Sequence, residues 1–384
     1  MRRFPILVLP AILIIGLFVA CNGGNGPVNP GPQPLHFVSA EVCSSCHVKK
    51  STEWSKTRHS NALADLLAAG TPQSYCIPCH VVGLDSKPAN SGYDDPNPEV
   101  KARFGGVQCE SCHGMGSDHI KNMTLPDSPL GSEVCGTCHD GAHHPTFTEW
   151  KTSLHASALD ARDMSSHFTT ECLRCHSADY IFAASVPETA TPQDFKYGLT
   201  CVVCHDPHSE ENAFQLRAKI TDLCSSCHND EGAAPGQSVH HPNSNMYLGV
   251  GGAQYPGKKY TNSDHTSLEK GCAACHMYTA PFDATSNTAI SGHTFKPRVE
   301  ACQTCHSDAT DFDRYGVQTQ IHGLLDTLKA ELDAATDNDK LTLSYQSALF
   351  NYGFCDAEGS YGIHNYKYAL ALLNDSIADF NPGS

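Results

Sequence analysis

Basic residues are scarce in this sequence. Its 384 residues hold 25 Lys and Arg against 41 Asp and Glu, a formal charge of −16. A surface of that sign repels phosphate backbones and argues against nucleic acid as a partner, while it suits basic patches and cations. Large apolar residues are modest in number, whereas 30 Gly and 23 Pro make the chain loop-rich. The length allows two or three average domains, but a pure hydrocarbon core is not what organises them. No C-x-x-C-x-x-C-x-x-x-C-P run occurs, which removes the bacterial iron–sulfur pattern. What is plentiful is cysteine, with 20 residues, and histidine, with 23.

The first residues set the compartment. Arg2 and Arg3 precede an almost wholly apolar Phe4–Ala20, Cys21 closes the segment, and "NGGNGPVNPGPQP" follows. The pattern reads as a signal peptide over 1–20 and a flexible tether over 21–38. "LFVAC" resembles a bacterial lipoprotein signal, with lipid on Cys21. Secretory cleavage nearby and a retained anchor are the alternatives. All three put the folded part outside the cytoplasm, most simply as an outer-membrane or cell-surface lipoprotein, otherwise in the periplasm.

C-x-x-C-H occurs nine times, and the copies are numbered here in chain order. Motif 1 is Cys43, Cys46, His47; motif 2 is Cys76, Cys79, His80; motif 3 is Cys109, Cys112, His113. Motif 4 is Cys135, Cys138, His139; motif 5 is Cys172, Cys175, His176; motif 6 is Cys201, Cys204, His205. Motif 7 is Cys224, Cys227, His228; motif 8 is Cys272, Cys275, His276; motif 9 is Cys302, Cys305, His306. The motif attaches c-type haem: two thiols add to the vinyl groups and the adjacent histidine binds iron as proximal ligand. Zinc knuckles or disulfides account for cysteine pairs but not for a histidine after every one. The expected cofactor is haem c, nine copies. Cys355 is left over as a buried thiol or a redox-sensitive one.

Histidine on both faces closes an iron for electron transfer. Fourteen histidines lie outside the motifs, enough for nine distal positions. The distal candidates are His59, His119, His143, His144, His155, His208, His240, His241, His265, His293 and His364. His59 and His155 lead, because they stand in a duplicated W-x4-H segment, "EWSKTRHSNAL" and "EWKTSLHASAL", on short helical stretches. His155 is expected to reach a haem of its own segment, with Trp150 as packing partner. His119 and His208 follow motifs closely and suit a neighbouring haem. "GAHHP" and "SVHHP" each offer one ligand and one hydrogen-bonding partner. His36, His167 and His322 read as surface or propionate-binding residues.

The motifs group in threes: segment 1 over 39–131, segment 2 over 132–220 and segment 3 over 221–310. Segments 1 and 2 share E-V-C-x-x-C-H, W-x4-H, a second motif, then an aromatic residue and glycine before the third. Segment 3 lacks W-x4-H, and His265, His293 and His364 are expected to serve where the repeat has decayed. Residues 311–384 form a C-terminal helical region. Ile321, Leu324, Leu325, Leu328 and Leu332 recur at helical spacing, and Thr342–Phe350 and Tyr366–Ile377 read as helices. Asn338 or Asp339 is the expected cap of the Thr342 helix. The fold class is therefore mainly α with extensive loops and almost no sheet, organised around nine covalently bound haems.

These elements resemble the multihaem cytochromes c. "GCAACHM" at 271–277, His293, "ACQTCH" at 301–306 and "EGSYGIHNYKYALALL" at 358–373 resemble the branch of octahaem hydroxylamine-oxidoreductase-like proteins and pentahaem nitrite reductases. The resemblance implies that His293 and His364 are distal ligands. The chain departs from that branch in having no C-x-x-C-K. Its lipoprotein-like start and motif density resemble exported cytochromes of metal-reducing bacteria. The expected function is electron transfer for periplasmic or extracellular respiration, a carrier more than an enzyme. Other redox proteins, extracellular metal oxides or a porin–cytochrome complex are the expected partners, with a homo-oligomer or filament as a variant. The alternative is an oxidoreductase acting on a small nitrogen or sulfur compound at one open haem.

Overall fold

The computed structural model describes residues 34–84, 91–124 and 129–380. Cys21, the signal peptide and most of the tether lie outside the described residues. Up to His306 the described chain runs through α and 3-10 helices of three to seven residues joined by loops. Many of these helices carry a motif, among them Cys109–His113, Leu173–His176, Cys201–Cys204 and Ala273–His276. In six motifs the histidine N–H donates to the carbonyl of the first cysteine, from His306 to Cys302 at 2.8 Å to His276 to Cys272 at 3.1 Å. That single turn brings positions i, i+3 and i+4 to one face, so both thiols and the imidazole address the same space.

Buried apolar side chains gather in two places. The larger cluster is built by three C-terminal helices, Val317–Asp333, Leu343–Glu358 and Tyr366–Asp379. Ile321, Leu325, Leu328 and Leu332 line one face of the first, and Phe354, Tyr368, Leu372 and Leu373 meet them from the others. Asn365 caps the third helix, accepting from Tyr368 N–H at 3.3 Å. The second helix is capped by Thr342, whose hydroxyl accepts from Tyr345 N–H at 3.2 Å. Asn338 and Asp339, the expected caps, instead lead into the short 3-10 turn Asp339–Leu341. Thr342 wins because its extended backbone breaks the chain between that turn and the helix.

The smaller cluster joins Leu159, Leu173 and Phe195 beside motif 5. The sheet among the described residues is one antiparallel hairpin, Ala280–Asp283 with Thr288–Ile290. It leans on segment 2 through Ala289 N–H to the Ala142 carbonyl at 2.8 Å. No helix of the described residues is long and apolar enough to cross a membrane.

Candidate multihaem electron-transfer site

Eight of the nine motif histidines face a second histidine across a gap of one size. Ring centroids are 6.0 Å apart for His47 and His119, 6.0 Å for His139 and His59, and 6.1 Å for His113 and His208. They are 6.0 Å apart for His228 and His155, 6.3 Å for His205 and His293, 6.0 Å for His276 and His364, and 6.2 Å for His306 and His265. Two motif histidines have a second candidate: His176 faces His240 at 6.5 Å and His241 at 6.4 Å, the ligand atoms of these three lying within 4.8 Å of one another, and His228 faces His241 at 5.8 Å besides His155. A metal–imidazole bond of about 2.0 Å, plus roughly 1 Å from nitrogen to ring centre on each side, gives about 6 Å. The spacing is that of two imidazoles sharing one iron.

The remaining donors fit the same group. None of the described cysteines forms a disulfide. Thr200 Oγ1 and Ser225 Oγ, buried beside Cys201 and Cys224, have no hydrogen-bond partner, as polar atoms lining a haem crevice would. Burial pushes His139 and His155 down to about 4. It also lowers His59, His205, His228, His276 and His293. These imidazoles are neutral at neutral pH, the form that binds metal.

Hydrogen bonds at Nδ1 hold the rings and leave Nε2 for iron. His80 donates to the Ala62 carbonyl at 2.7 Å and His176 to that of Ala158 at 2.8 Å. His205 donates to Phe214, His276 to Phe295 and His265 to Ile363, at 2.8 to 2.9 Å. Two rings rest on carboxylates instead: His208 on Asp206 at 3.0 Å, and His364 on Glu358.

The duplicated W-x4-H segment works identically in both copies. Trp54 Nε1 donates to Val107 O at 3.0 Å and Trp150 Nε1 to Leu199 O at 2.9 Å. The carbonyls of His59 and His155 accept from Val107 and Leu199 N–H. Each segment is thereby pinned to the strand of chain that opens the third motif of its unit. Ala62 and Ala158, three residues past each histidine, receive the second motif's imidazole. Close approach requires glycine here: a Cβ on Gly106, with φ +88°, would lie 2.4 Å from Ser60 O, and one on Gly198 would lie 2.6 Å from Ala156 O.

The histidine of each copy points onward. His155 lies opposite His228 of segment 3, not opposite a motif of segment 2 as expected, and His59 lies opposite His139 of segment 2. The reason is the pinning just described: backbone and tryptophan face their own unit, which turns the imidazole outward.

Thiol contacts between motifs give their order in space. The sulfur of Cys43 neighbours that of Cys109, Cys135 that of Cys201, and Cys224 that of Cys272. Cys79 meets Cys138, and Cys175 meets Cys227. Cys112 lies near Cys138, Cys204 near Cys227, and Cys275 near Cys302 and Cys305. The motifs therefore run 1–3–4–6–7–8–9, with motif 2 beside 4 and motif 5 beside 7. Cys46 and Cys305, at the two ends, are the only exposed cysteines among those described.

The other histidines take separate places. His143 stacks on Phe282 at 4.1 Å, and His144 lies near enough to His139 to lower its pKa. His36 Nδ1 contacts the Pro34 carbonyl, His322 stacks on Tyr361, and His167 is exposed. Among the described residues no second histidine ring pairs with His80. Cys355 is buried in the C-terminal cluster, where burial raises its pKa and keeps it a thiol. Three positioning residues escaped the sequence reading. Glu149 accepts from Ser291 N–H, Ser291 Oγ and His293 N–H at 3.0, 2.7 and 2.8 Å. Asn365 Oδ1 accepts from Ser263 N–H at 2.9 Å, and Glu358 holds His364. Only Asn365 had a signal, its place directly after the histidine.

Comparison with known proteins agrees with this geometry. Two family models match: "Cytochrome c554 and c-prime" over residues 42–114 and "Doubled CXXCH motif" over 193–233. The chain is 28% identical over 179 residues to the multiheme cytochrome MtrA of Shewanella baltica, covering 40% of this chain and 51% of that protein. It is 25% identical over 196 residues to the C-type polyheme cytochrome OmcB of Geobacter sulfurreducens, 41% of this chain and 25% of that one. It therefore spans at most about half the length of these two relatives. In fold it superposes on the outer cell wall cytochrome OcwA with a TM-score of 0.71 at 24% identity, over 90% of this chain and all of that one. It also superposes on the undecaheme cytochrome from the S-layer of Carboxydothermus ferrireducens, with a TM-score of 0.68 at 22% identity over 91% of this chain and 70% of that one.

Proposed function

This chain is a multihaem c-type cytochrome, related to the MtrA- and OmcB-type cytochromes, and we propose that it is an electron conduit of nine haems working outside the inner membrane. The observation that carries the reading is the unbroken order of motif contacts from motif 1 to motif 9, with an exposed cysteine at each end. Haem bound at the motifs supplies one-electron iron centres whose potentials follow axial ligation and surroundings. The chain's own residues do the rest. Motif and distal histidines close the coordination, and Nδ1 partners fix ring orientation. The acidic surface favours basic redox partners or metal cations. Likeness in fold to an outer cell wall cytochrome and an S-layer cytochrome supports placement at the cell surface, with lipid on Cys21 as the anchor.

The test is reoxidation of the fully reduced protein by ferric citrate and by a ferric oxide mineral. The conduit reading expects every haem to reoxidise with both. Reoxidation of only a fraction of the haem absorbance would refute it.

One observation favours a second reading. The repeat sets "HHP" of segment 3 against His176 of motif 5, so "HHP" of segment 2 is the counterpart for His80 of motif 2. His143 stacks on Phe282 instead, and no histidine ring pairs with His80 among the described residues. Motif 2 would then be an open site for a small nitrogen or sulfur compound, on a branch off the main line. A high-spin electron paramagnetic resonance signal from one haem, shifted by nitrite or hydroxylamine, supports it. A wholly low-spin spectrum removes it.

A further inference from the structure

Of the Nδ1 partners that hold ligand histidines, carboxylates are the unusual ones, and the two differ sharply. Asp206, which holds His208, has a side chain 19% exposed, with Lys50 and Arg217 each 3.7 Å from its Oδ2. Its charge is shared and screened. Glu358, which holds His364, has a side chain 1% exposed. Its Oε1 meets His364 Nδ1, and its Oε2 accepts from Ser360 N–H at 3.1 Å. No lysine or arginine pairs with it among the described residues.

A buried carboxylate with no cation beside it is costly to fold. The imidazole takes up that charge through its N–H, and a carboxylate on Nδ1–H makes the ring a stronger donor at Nε2. In a low-dielectric setting the effect is larger than at Asp206. A stronger donor stabilises ferric over ferrous iron. Glu358 is also fixed in place. It ends the helix Leu343–Glu358, and its carbonyl accepts from Asn243 Nδ2 at 2.7 Å.

We propose that Glu358 is a positioning residue that makes the motif 8 haem, ligated by His276 and His364, the most reducing site of the chain. This deepens the conduit reading and rests on it. Motif 8 stands next to motif 9, whose Cys305 is exposed, so electrons leaving or arriving at that end pass through this site.

The test is a redox titration of the whole holoprotein followed by optical and paramagnetic resonance spectra, for the wild type, E358Q and D206N. The wild type should show one low-spin ferric haem reduced after all the others. In E358Q that component should move up by at least tenfold in its reduction equilibrium, about 59 mV for one electron, with altered g-values and unchanged haem content. D206N should move its own component less. A wild type with no separate last component overturns the proposal without any variant, should E358Q fail to fold. So does an unmoved last component in E358Q, or a D206N shift as large. Loss of low-spin ligation at motif 8 in the wild type would instead refute the ligand assignment beneath it.

Discussion

Replacing Glu149 with alanine should open motif 6 from a distance. The carboxylate sits on the W-x4-H helix of segment 2 and holds the loop that presents His293, through two backbone N–H groups and one hydroxyl at 2.7 to 3.0 Å. A hydrogen bond to a charged group contributes about 1.5–3 kcal/mol when buried. Glu149 is half-exposed, and water takes its place in E149A, so about 1 kcal/mol each is the better figure. The sum, about 3 kcal/mol, is roughly a hundredfold in equilibrium. If it bears on the seating of His293, the population with His293 off its iron rises by that factor. The apparent affinity of the reduced protein for carbon monoxide at one haem rises with it. E149Q keeps a single acceptor oxygen and should fall between, near tenfold by the same count. The assay is carbon monoxide titration of the dithionite-reduced protein, with denaturant unfolding alongside. Lowered stability with carbon monoxide affinity unchanged within about threefold would refute the reasoning, because Glu149 would then support the fold and not the ligand.

Alanine at His59 or His155 should turn one haem high-spin in each case, at motif 4 and motif 7 respectively. Resonance spectra of a double variant with the matching motif cysteines removed would show whether the affected haem lies in the next segment. G106A should lower stability by about 2–4 kcal/mol, since its Cβ meets Ser60 O in a left-handed backbone conformation. G323A, on an exposed helical position with nothing within 4 Å of the new Cβ, should raise it by up to about 1 kcal/mol. Thermal unfolding of both variants reads the two signs. N365A removes a helix cap, worth about 1 kcal/mol, and also the clamp on Ser263. It should broaden the low-spin signals of motifs 8 and 9 together, since His265 and His364 flank that clamp, and a change at one motif alone would count against it.

The C-terminal helices were legible because Ile321, Leu325, Leu328 and Leu332 repeat at the period of a helix face. The motifs were legible because haem attachment demands a fixed local spacing. The Thr342 cap was not, because Asn338 and Asp339 are stronger capping types and only the 3-10 turn between them and the helix decides the matter. Partners of the distal histidines were out of reach for a different reason. His265 with His306, or His113 with His208, are set by folding of distant loops, and no local pattern records them. The same holds for Glu149 and Glu358, ordinary acidic residues until His293 and His364 arrive beside them.

The repeat itself explains why its third copy differs. Each unit reaches in both directions. His59 and His155 face the opening motif of the following unit, while His208 and His293 face the closing motif of the preceding one. A unit of this kind closes only part of its own coordination, as His119 does opposite His47, and stacking of neighbours completes the rest, as in other repeat architectures. Residues 311–384, which follow motif 9, carry no motif for a third W-x4-H segment to face. Loss of that segment is thus less a decay than a change of task. Three C-terminal helices follow motif 9, and His364, from the turn before the last of them, faces His276 of motif 8. That helical cluster is also the larger group of buried apolar side chains among the described residues. One region therefore supplies the larger hydrocarbon cluster beside the loop-rich units and, among the described residues, holds the buried, cation-free carboxylate that meets a candidate ligand.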